Sequence, residues 1–226
     1  MKHTGPIAGV AAWDRYIATA GYDNQVILWD ADSGQALARG SHDHLANHCD
    51  FSPDGRWLVS AGSDGTARLW AVPSMSLKAV LHEHHDDVDM AAFSPDGQLI
   101  ATCALDRSVR IFNLSGHCLH TMEGHTGNVL SLTWSSDGNR VVTSSVDGTL
   151  RTWDAQTGGA IRCDFLGVRA DSVQIDRRGT LYAGDDDGRI AWVDAKGLHF
   201  IRAHQAGIKK VVLQETTAGS GKLICL

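Results

Sequence analysis

The stretch "FSPDGRWLVSAGSDGTARLW", residues 51–70, holds two turn signals, two short β-rich runs and a closing Trp. In "SPDG" the Pro presets φ and the Gly accepts a positive φ, which is hairpin chemistry. "RWLVSA" and "TARLW" are alternating or β-branched runs of strand length. The stretch recurs as "AGYDNQVILWD" (20–30), "AGSDGTARLWA" (61–71), "CALDRSVRIFN" (103–113), "SSVDGTLRTWD" (144–154) and "GDDDGRIAWVD" (184–194). The closing residues Trp29, Trp70, Phe112, Trp153 and Val193 are spaced by steps of 41, 42, 41 and 40 residues. Six positions before each stands an Asp: Asp23, Asp64, Asp106, Asp147 and Asp187. The earlier turn recurs as "SPDG" at 94–97, "SSDG" at 135–138 and "DRRG" at 176–179. No segment sustains a 3.6-residue apolar period, so helix should be nearly absent.

Four short strands in each period of about 41 residues describe a blade, and stacked blades describe a β-propeller. The Trp-Asp ends, the SPDG turns and His-containing starts such as "EGHTGNVLSLTWSSDG" resemble WD40 repeats, and the resemblance covers almost the whole chain. It implies an all-β, single-domain propeller of four-stranded antiparallel blades, five full and the start of a sixth. The register puts blade 1 at about 6–39, blade 2 at 46–81, blade 3 at 88–122, blade 4 at 129–164 and blade 5 at 171–202. In "RAHQAGIKKVVLQETTAGSGKLICL" the sixth unit supplies His204, a strand near 208–213 and the start of a second. The expectation is therefore a truncated or partial member of the family. Unpaired strand edges in an open blade invite completion by another chain or by further sequence.

Composition narrows the function classes. Lys and Arg total 20 against 26 Asp and Glu, and the formal net charge of −6 argues against a general nucleic-acid binder. The apolar runs fall short of the roughly 20 residues of a membrane helix. The opening "MKHTGPIAGVAAW" is too broken for a secretory signal and reads as the entry to blade 1. Five widely spaced cysteines without a CxxC pair fit a reducing compartment, so the expected location is the cytoplasm.

Thr19, Ser60, Thr102, Thr143 and Ala183 stand four residues before the turn Asp, and His42, His84 and His125 stand 22 before it. His3 is the equivalent in blade 1, two residues closer. A hydroxyl, a His and an Asp are the parts of a nucleophilic hydrolase. A catalytic set is needed once, whereas these recur in four blades, and no oxyanion-hole signal accompanies them. In WD40 proteins the corresponding His, Ser/Thr, Asp and Trp form a structural tetrad, and a fully paired buried network fixes one arrangement. The resemblance thus implies tetrads His3/Thr19/Asp23/Trp29, His42/Ser60/Asp64/Trp70 and His125/Thr143/Asp147/Trp153. In His84/Thr102/Asp106/Phe112 the Phe keeps bulk but lacks the indole N–H. Blade 5 has only Asp187, with Ala183 and Val193 at the other places. It should be the loosest full blade, and its amides should exchange faster than those of blades 2 and 4. Equal or stronger protection there would refute this.

Other motifs carry less. "SHDHLANH" and "LHEHHDD" have histidine spacings that could suggest a metal, but His42 and His84 have tetrad roles and their neighbours alternate in direction along a strand. "TTAGSGKL" (216–223) lacks the first Gly of a phosphate loop and has Leu223 where Ser or Thr would ligate magnesium, so a long hairpin loop is expected. Asp185, Asp186 and Asp187 lack the spaced oxygens of a calcium loop, and Asp187 serves as the turn Asp. No catalytic, cofactor or metal residue is assigned.

Function then rests on exposed loops of a rigid scaffold. In the WD40 family the binding face uses the third and fifth residues after the His and the residue before the turn Asp. Carried over, these are Leu45, Asn47 and Ser63, then Asp87, Asp89 and Leu105, then Asn128, Leu130 and Val146, with Tyr22 from blade 1 and Asp186 from blade 5. Carboxylates mixed with apolar residues suit a protein or peptide partner with basic and apolar side chains. The expected function is a non-catalytic scaffold for protein interaction or complex assembly. The alternatives are the sensing part of a larger enzyme or ATPase and, behind it, a propeller hydrolase.

Overall fold

The computed structural model describes residues 1–215 and 221–225; of the long loop expected over 216–223, residues 216–220 lie outside the described residues, and 221–223 instead open the strand Gly221–Cys225. Among them there is no helix. The first sheet is β1 (Ile7–Trp13), β2 (Tyr16–Gly21), β3 (Gln25–Asp30) and β4 (Ala36–Ser41). The second is β5 (Ala46–Phe51), β6 (Trp57–Gly62), β7 (Ala67–Ala71) and β8 (Ser76–Leu81). The third is β9 (Val88–Phe93), β10 (Leu99–Ala104), β11 (Val109–Asn113) and β12 (Cys118–Met122). The fourth is β13 (Val129–Trp134), β14 (Arg140–Ser145), β15 (Thr149–Asp154) and β16 (Ala160–Phe165). The fifth is β17 (Ala170–Ile175), β18 (Leu181–Asp185), β19 (Arg189–Asp194) and β20 (Gly197–Arg202), followed by the pair β21 (Val211–Glu215) and β22 (Gly221–Cys225). Each four-stranded sheet is an antiparallel meander with strands in sequence order, the blade of the β-propeller fold class. The chain divides into two compact units, Met1–Thr121 with sheets one to three and Met122–Leu226 with the rest.

The SPDG turns work through a side chain as well as through φ. Ser52 Oγ donates to Asp54 Oδ1 at 2.7 Å, accepts from Trp57 N at 3.0 Å, and is followed by Gly55 at φ 68°. Ser94 with Asp96 and Ser135 with Asp137 repeat these bonds. A short polar side chain here closes the a–b hairpin locally, which fixes the register of the flanking strands.

Strand alternation then sends two apolar faces outward from each sheet, and the next sheet covers one of them. In the first unit Ala18, Val26 and Leu28 of sheet one pack with Phe51, Leu58 and Trp70 of sheet two. Val59, Ala67 and Leu69 of sheet two pack with Val88, Phe93 and Phe112 of sheet three. In the second unit Val142 and Leu150 pack with Val173, Ala183 and Val193. The contact is close enough that a Cβ on Gly40 would meet the Trp70 ring at 2.7 Å, so Gly is required there.

The sixth unit's first strand begins at Val211, three residues later than the sequence suggests. Ile208 N instead donates to Asp185 O at 2.9 Å, which uses that residue to anchor the loop on sheet five.

Candidate functional site

The Trp-to-Asp chain forms one polar relay in the fourth sheet. Trp153 Nε1 donates to Thr143 Oγ1 at 2.9 Å, His125 Nε2 lies 2.8 Å from that oxygen, and His125 Nδ1 lies 2.8 Å from Asp147 Oδ2. An ionised Asp only accepts, so Nδ1 carries the proton and Nε2 accepts from the hydroxyl. Asp147 also accepts from Thr126 N and from Thr149 N, both at 2.9 Å, so one carboxylate ties the d–a loop to the b–c turn. Burial raises the Asp147 pKa, but hydrogen bonds from Thr149, His125 and Thr126 outweigh it and hold it at about 2. Burial also lowers the His125 pKa, against the pull of Asp147, which keeps the ring neutral.

The same bonds link His3, Thr19, Asp23 and Trp29 in the first sheet and His42, Ser60, Asp64 and Trp70 in the second. The third sheet joins His84 to Thr102 at 2.7 Å and to Asp106 at 3.0 Å. Phe112, fully buried, takes the indole's place without its donor. There Arg110 Nη1 lies 2.7 Å from His84 Nδ1 and 3.0 Å from Asp106 Oδ2. Arg68 stands likewise 3.0 Å from Asp64. These arginines were not singled out from the sequence, yet the spacing Asp-x-x-x-Arg recurs at 64/68, 106/110 and 147/151.

The fifth sheet corrects the sequence reading. Asp187 is not its turn anchor: that side chain is 54 % exposed and 3.7 Å from Arg189. Asp185, with no exposure, accepts from Asp187 N at 3.0 Å, Arg189 N at 2.9 Å and Arg189 Nε at 2.8 Å. At the matching positions of sheets one and two stand Gly21 and Gly62, where a Cβ would lie 2.5 and 2.3 Å from the His3 and His42 rings. In sheets three and four, whose sets also keep their His, the matching residues are the small Ala104 and Ser145. Sheet five has no such His, so a carboxylate occupies that room. Asp185 and Arg189 repeat the Asp-x-x-x-Arg spacing, which is the signal that could have identified Asp185.

The loop positions carried over as binding residues meet in pairs. Ser63 N donates to Leu45 O at 2.8 Å, Leu105 N to Asp87 O at 2.9 Å and Val146 N to Asn128 O at 3.0 Å. Pro6 pairs in this way with Tyr22, and Arg169 with Asp186. Asn47 Nδ2 donates to Ser63 Oγ at 3.1 Å and to Val88 O at 3.0 Å, so its amide is engaged within the first unit. Asp89 and Leu130 are half-buried, whereas Tyr22 and Val146 are 49 % and 42 % exposed. Asp186 is met by Lys209 Nζ at 2.9 Å, which also reaches Asp171 at 2.6 Å. Among the described residues no group of three or more His, Cys, Asp and Glu converges as a metal site.

Asp50 on β5 accepts from Phe93 N of β9 at 3.0 Å. Burial pushes its carboxyl up to about 6, with the Phe93 and Phe51 amides only partly opposing. The folded state therefore keeps a proton that the unfolded chain has released between the ordinary carboxylate range and pH 6, and this contribution grows as pH falls through 6. Asp50→Asn should raise stability at pH 8 and by less at pH 5, measured by denaturant unfolding at both. An equal change at both would contradict the assignment.

Repeated four-stranded sheets, most of them closed by their own buried polar set, define a blade-repeat protein. More particularly, the chain belongs to the WD40 family: residues 1–30, 35–71, 75–113 and 116–154, more than half of it, match the family described as WD domain, G-beta repeat. It is 30% identical over 181 residues to the nuclear distribution protein PAC1 of Arthroderma benhamiae, a match covering 69% of this chain and 39% of that protein. With the COMPASS component SWD3 of Saccharomyces cerevisiae it shares 33% over 157 residues, 67% of this chain and 49% of the relative. With the autophagy-related protein 16 of Arabidopsis thaliana it shares 32% over 146 residues, 62% of this chain and 28% of the relative. The chain thus spans less than half the length of these curated relatives.

Proposed function

We propose that this chain is a non-catalytic scaffold that binds a protein or peptide partner through the loop ends of its sheets. The observation that carries this reading is the fourfold use of the hydroxyl, His and Asp set, whose members are consumed in closing their own sheets. A hydrolase needs such a set once, beside an open pocket. The relative named a COMPASS component is by that name part of an assembly, which supports the same class of role. No helix among the described residues is long and apolar enough to cross a membrane. Five widely spaced cysteines without a CxxC pair fit a reducing, cytoplasmic setting.

The partner segment carries basic and apolar side chains. In the first unit Asp87 and Asp89 supply negative charge and Leu45, Leu105 and Tyr22 supply apolar side chains, so charge steers the encounter and apolar anchors hold it. Selection from a random peptide library on the immobilised chain should enrich Lys or Arg with Leu or Phe. Asp87→Lys with Asp89→Lys should abolish that binding while leaving the unfolding curve in place. Peptides without a basic bias, or undiminished binding by the double variant, would overturn the proposal.

A further inference from the structure

In the first unit the a–b turns of neighbouring sheets touch. A Cβ on Gly55 of sheet two would meet the Trp13 ring of sheet one at 2.3 Å, and one on Gly97 of sheet three would meet Pro53 of sheet two at 3.2 Å. Gly179, in the matching turn of sheet five, has no atom of the described residues within 4 Å. Two departures from the repeat fall at this place. Phe51 pairs with Leu58, Phe93 with Ile100 and Trp134 with Val141, but Ile175 pairs with Leu181, so the sheet-five hairpin is one residue shorter. Ser136 also stands in the sheet-four turn where sheets two and three have Pro53 and Pro95.

A cavity of about 340 Å³ opens beside these two turns, lined by Trp134, Ser136, Gln174, Ile175, Arg177 and Leu213. That volume is at the low end of the roughly 300–1,000 Å³ of small-molecule sites. Trp134 is buried, and Ile175 and Leu213 are half-buried, which makes an apolar wall. The other three liners can all donate hydrogen bonds, through a hydroxyl, a carboxamide and a guanidinium, and none of the six is acidic. The aspartates of the two turns are engaged by the turns themselves. Asp137 accepts from the Ser135 hydroxyl and from Asn139 N, and Asp176 accepts from Arg178 N at 2.9 Å, Thr180 N at 2.8 Å and the Tyr182 hydroxyl at 3.3 Å. Arg140, Arg177 and Arg178 outnumber these two acids, so the paired hairpins carry one net positive charge in a chain whose own net charge is −6.

We infer that this cavity binds a small amphipathic monocarboxylate, its apolar body against Trp134, Ile175 and Leu213 and its carboxylate on the Arg177 guanidinium, with Gln174 and Ser136 as further donors. A carboxylate presents the paired oxygens that a guanidinium fork matches. One net positive charge suits a monoanion better than a doubly charged phosphate. The apolar wall supplies the burial that an exposed ion pair alone does not. The site lies at the a–b end of sheets four and five, the opposite end from their d–a loops, and it stands whether or not those loops bind a partner.

The probe is 4-phenylbutyrate, with 4-phenylbutan-1-ol as its uncharged counterpart, each titrated into the whole chain and followed by calorimetry and by saturation-transfer NMR. The carboxylate should bind saturably with Kd below about 1 mM, and the alcohol roughly tenfold more weakly or worse. Arg177→Gln removes the cation from an exposed turn tip. Ser136→Pro installs the residue that the same turn position already holds as Pro53 and Pro95, and so narrows the cavity within a turn the repeat accepts. Each variant should weaken binding roughly tenfold or more, with an unchanged far-ultraviolet spectrum and unfolding midpoint as the check on folding. No saturation up to about 10 mM, equal binding of the alcohol, or undiminished binding by either variant would each overturn the inference.

Discussion

Asp185→Ala should unfold at a far lower denaturant concentration than the parent chain, and Asp187→Ala should be nearly silent. Asp185 has no exposure and holds two turn amides and the Arg189 side chain. Removing it leaves two turn amides and a part-buried guanidinium without their acceptor, a loss of about 2–3 kcal/mol. Asp187 presents a side chain 54 % exposed, and such surface changes stay within about 0.5 kcal/mol. The Arg189 cation also lies 4.6 Å from the Phe200 ring centre, so part of the expected loss comes from releasing that stack. Denaturant unfolding followed by fluorescence checks both variants. The reverse order of effects would restore Asp187 as the anchor.

A second large effect is expected at Asp147. Its carboxylate receives Thr126 N, Thr149 N, the Thr149 hydroxyl and His125 Nδ1, and its side chain is 6 % exposed. Asp147→Ala leaves several of these donors unsatisfied inside the sheet, for a loss of about 3 kcal/mol or more. The pH dependence has a definite sign. The folded pKa values of His125 and Asp147 both lie below their ordinary 6.5 and 3.8, so the unfolded chain binds more protons. Stability from the histidine is lost as pH falls below about 6.5. Stability from the aspartate is lost as pH falls from the ordinary carboxylate range through about 2. Asp147→Ala should therefore have a shallower limb below about pH 4, where the aspartate titrates, while the loss below about pH 6.5 from His125 persists.

Much of this fold was legible in the chain because the repeat encodes it twice. Turn chemistry at "SPDG" and "SSDG" sets the a–b hairpins of sheets two to four, and in sheets one to four the Asp six residues before the bulky residue sets the next turn. The bonds of His125, Thr143 and Trp153 were implied by the family resemblance, and the rule that buried polar groups must pair gives the physical reason for them. The fifth sheet was misread because "GDDDG" offers three carboxylates in a row and the period favours the third. The local signal that favours Asp185 is its Asp-x-x-x-Arg spacing to Arg189, the spacing of Asp64 with Arg68 and Asp106 with Arg110. The proposed binding positions were legible only as register. That Asn47 is turned to Ser63 and Val88, and that Lys209 bridges Asp171 and Asp186, depends on neighbouring sheets.

As proposed above, the repeated hydroxyl, His and Asp sets serve to lock their sheets. The most direct test is to follow, for Asp64→Ala and Asp147→Ala alongside the parent, the denaturant midpoint and the hydrolysis of an activated ester in the same preparations. The expected result is a large drop in midpoint for each variant, with ester turnover at the uncatalysed rate throughout. Turnover by the parent that vanishes in one variant while its midpoint stays unchanged would contradict the account.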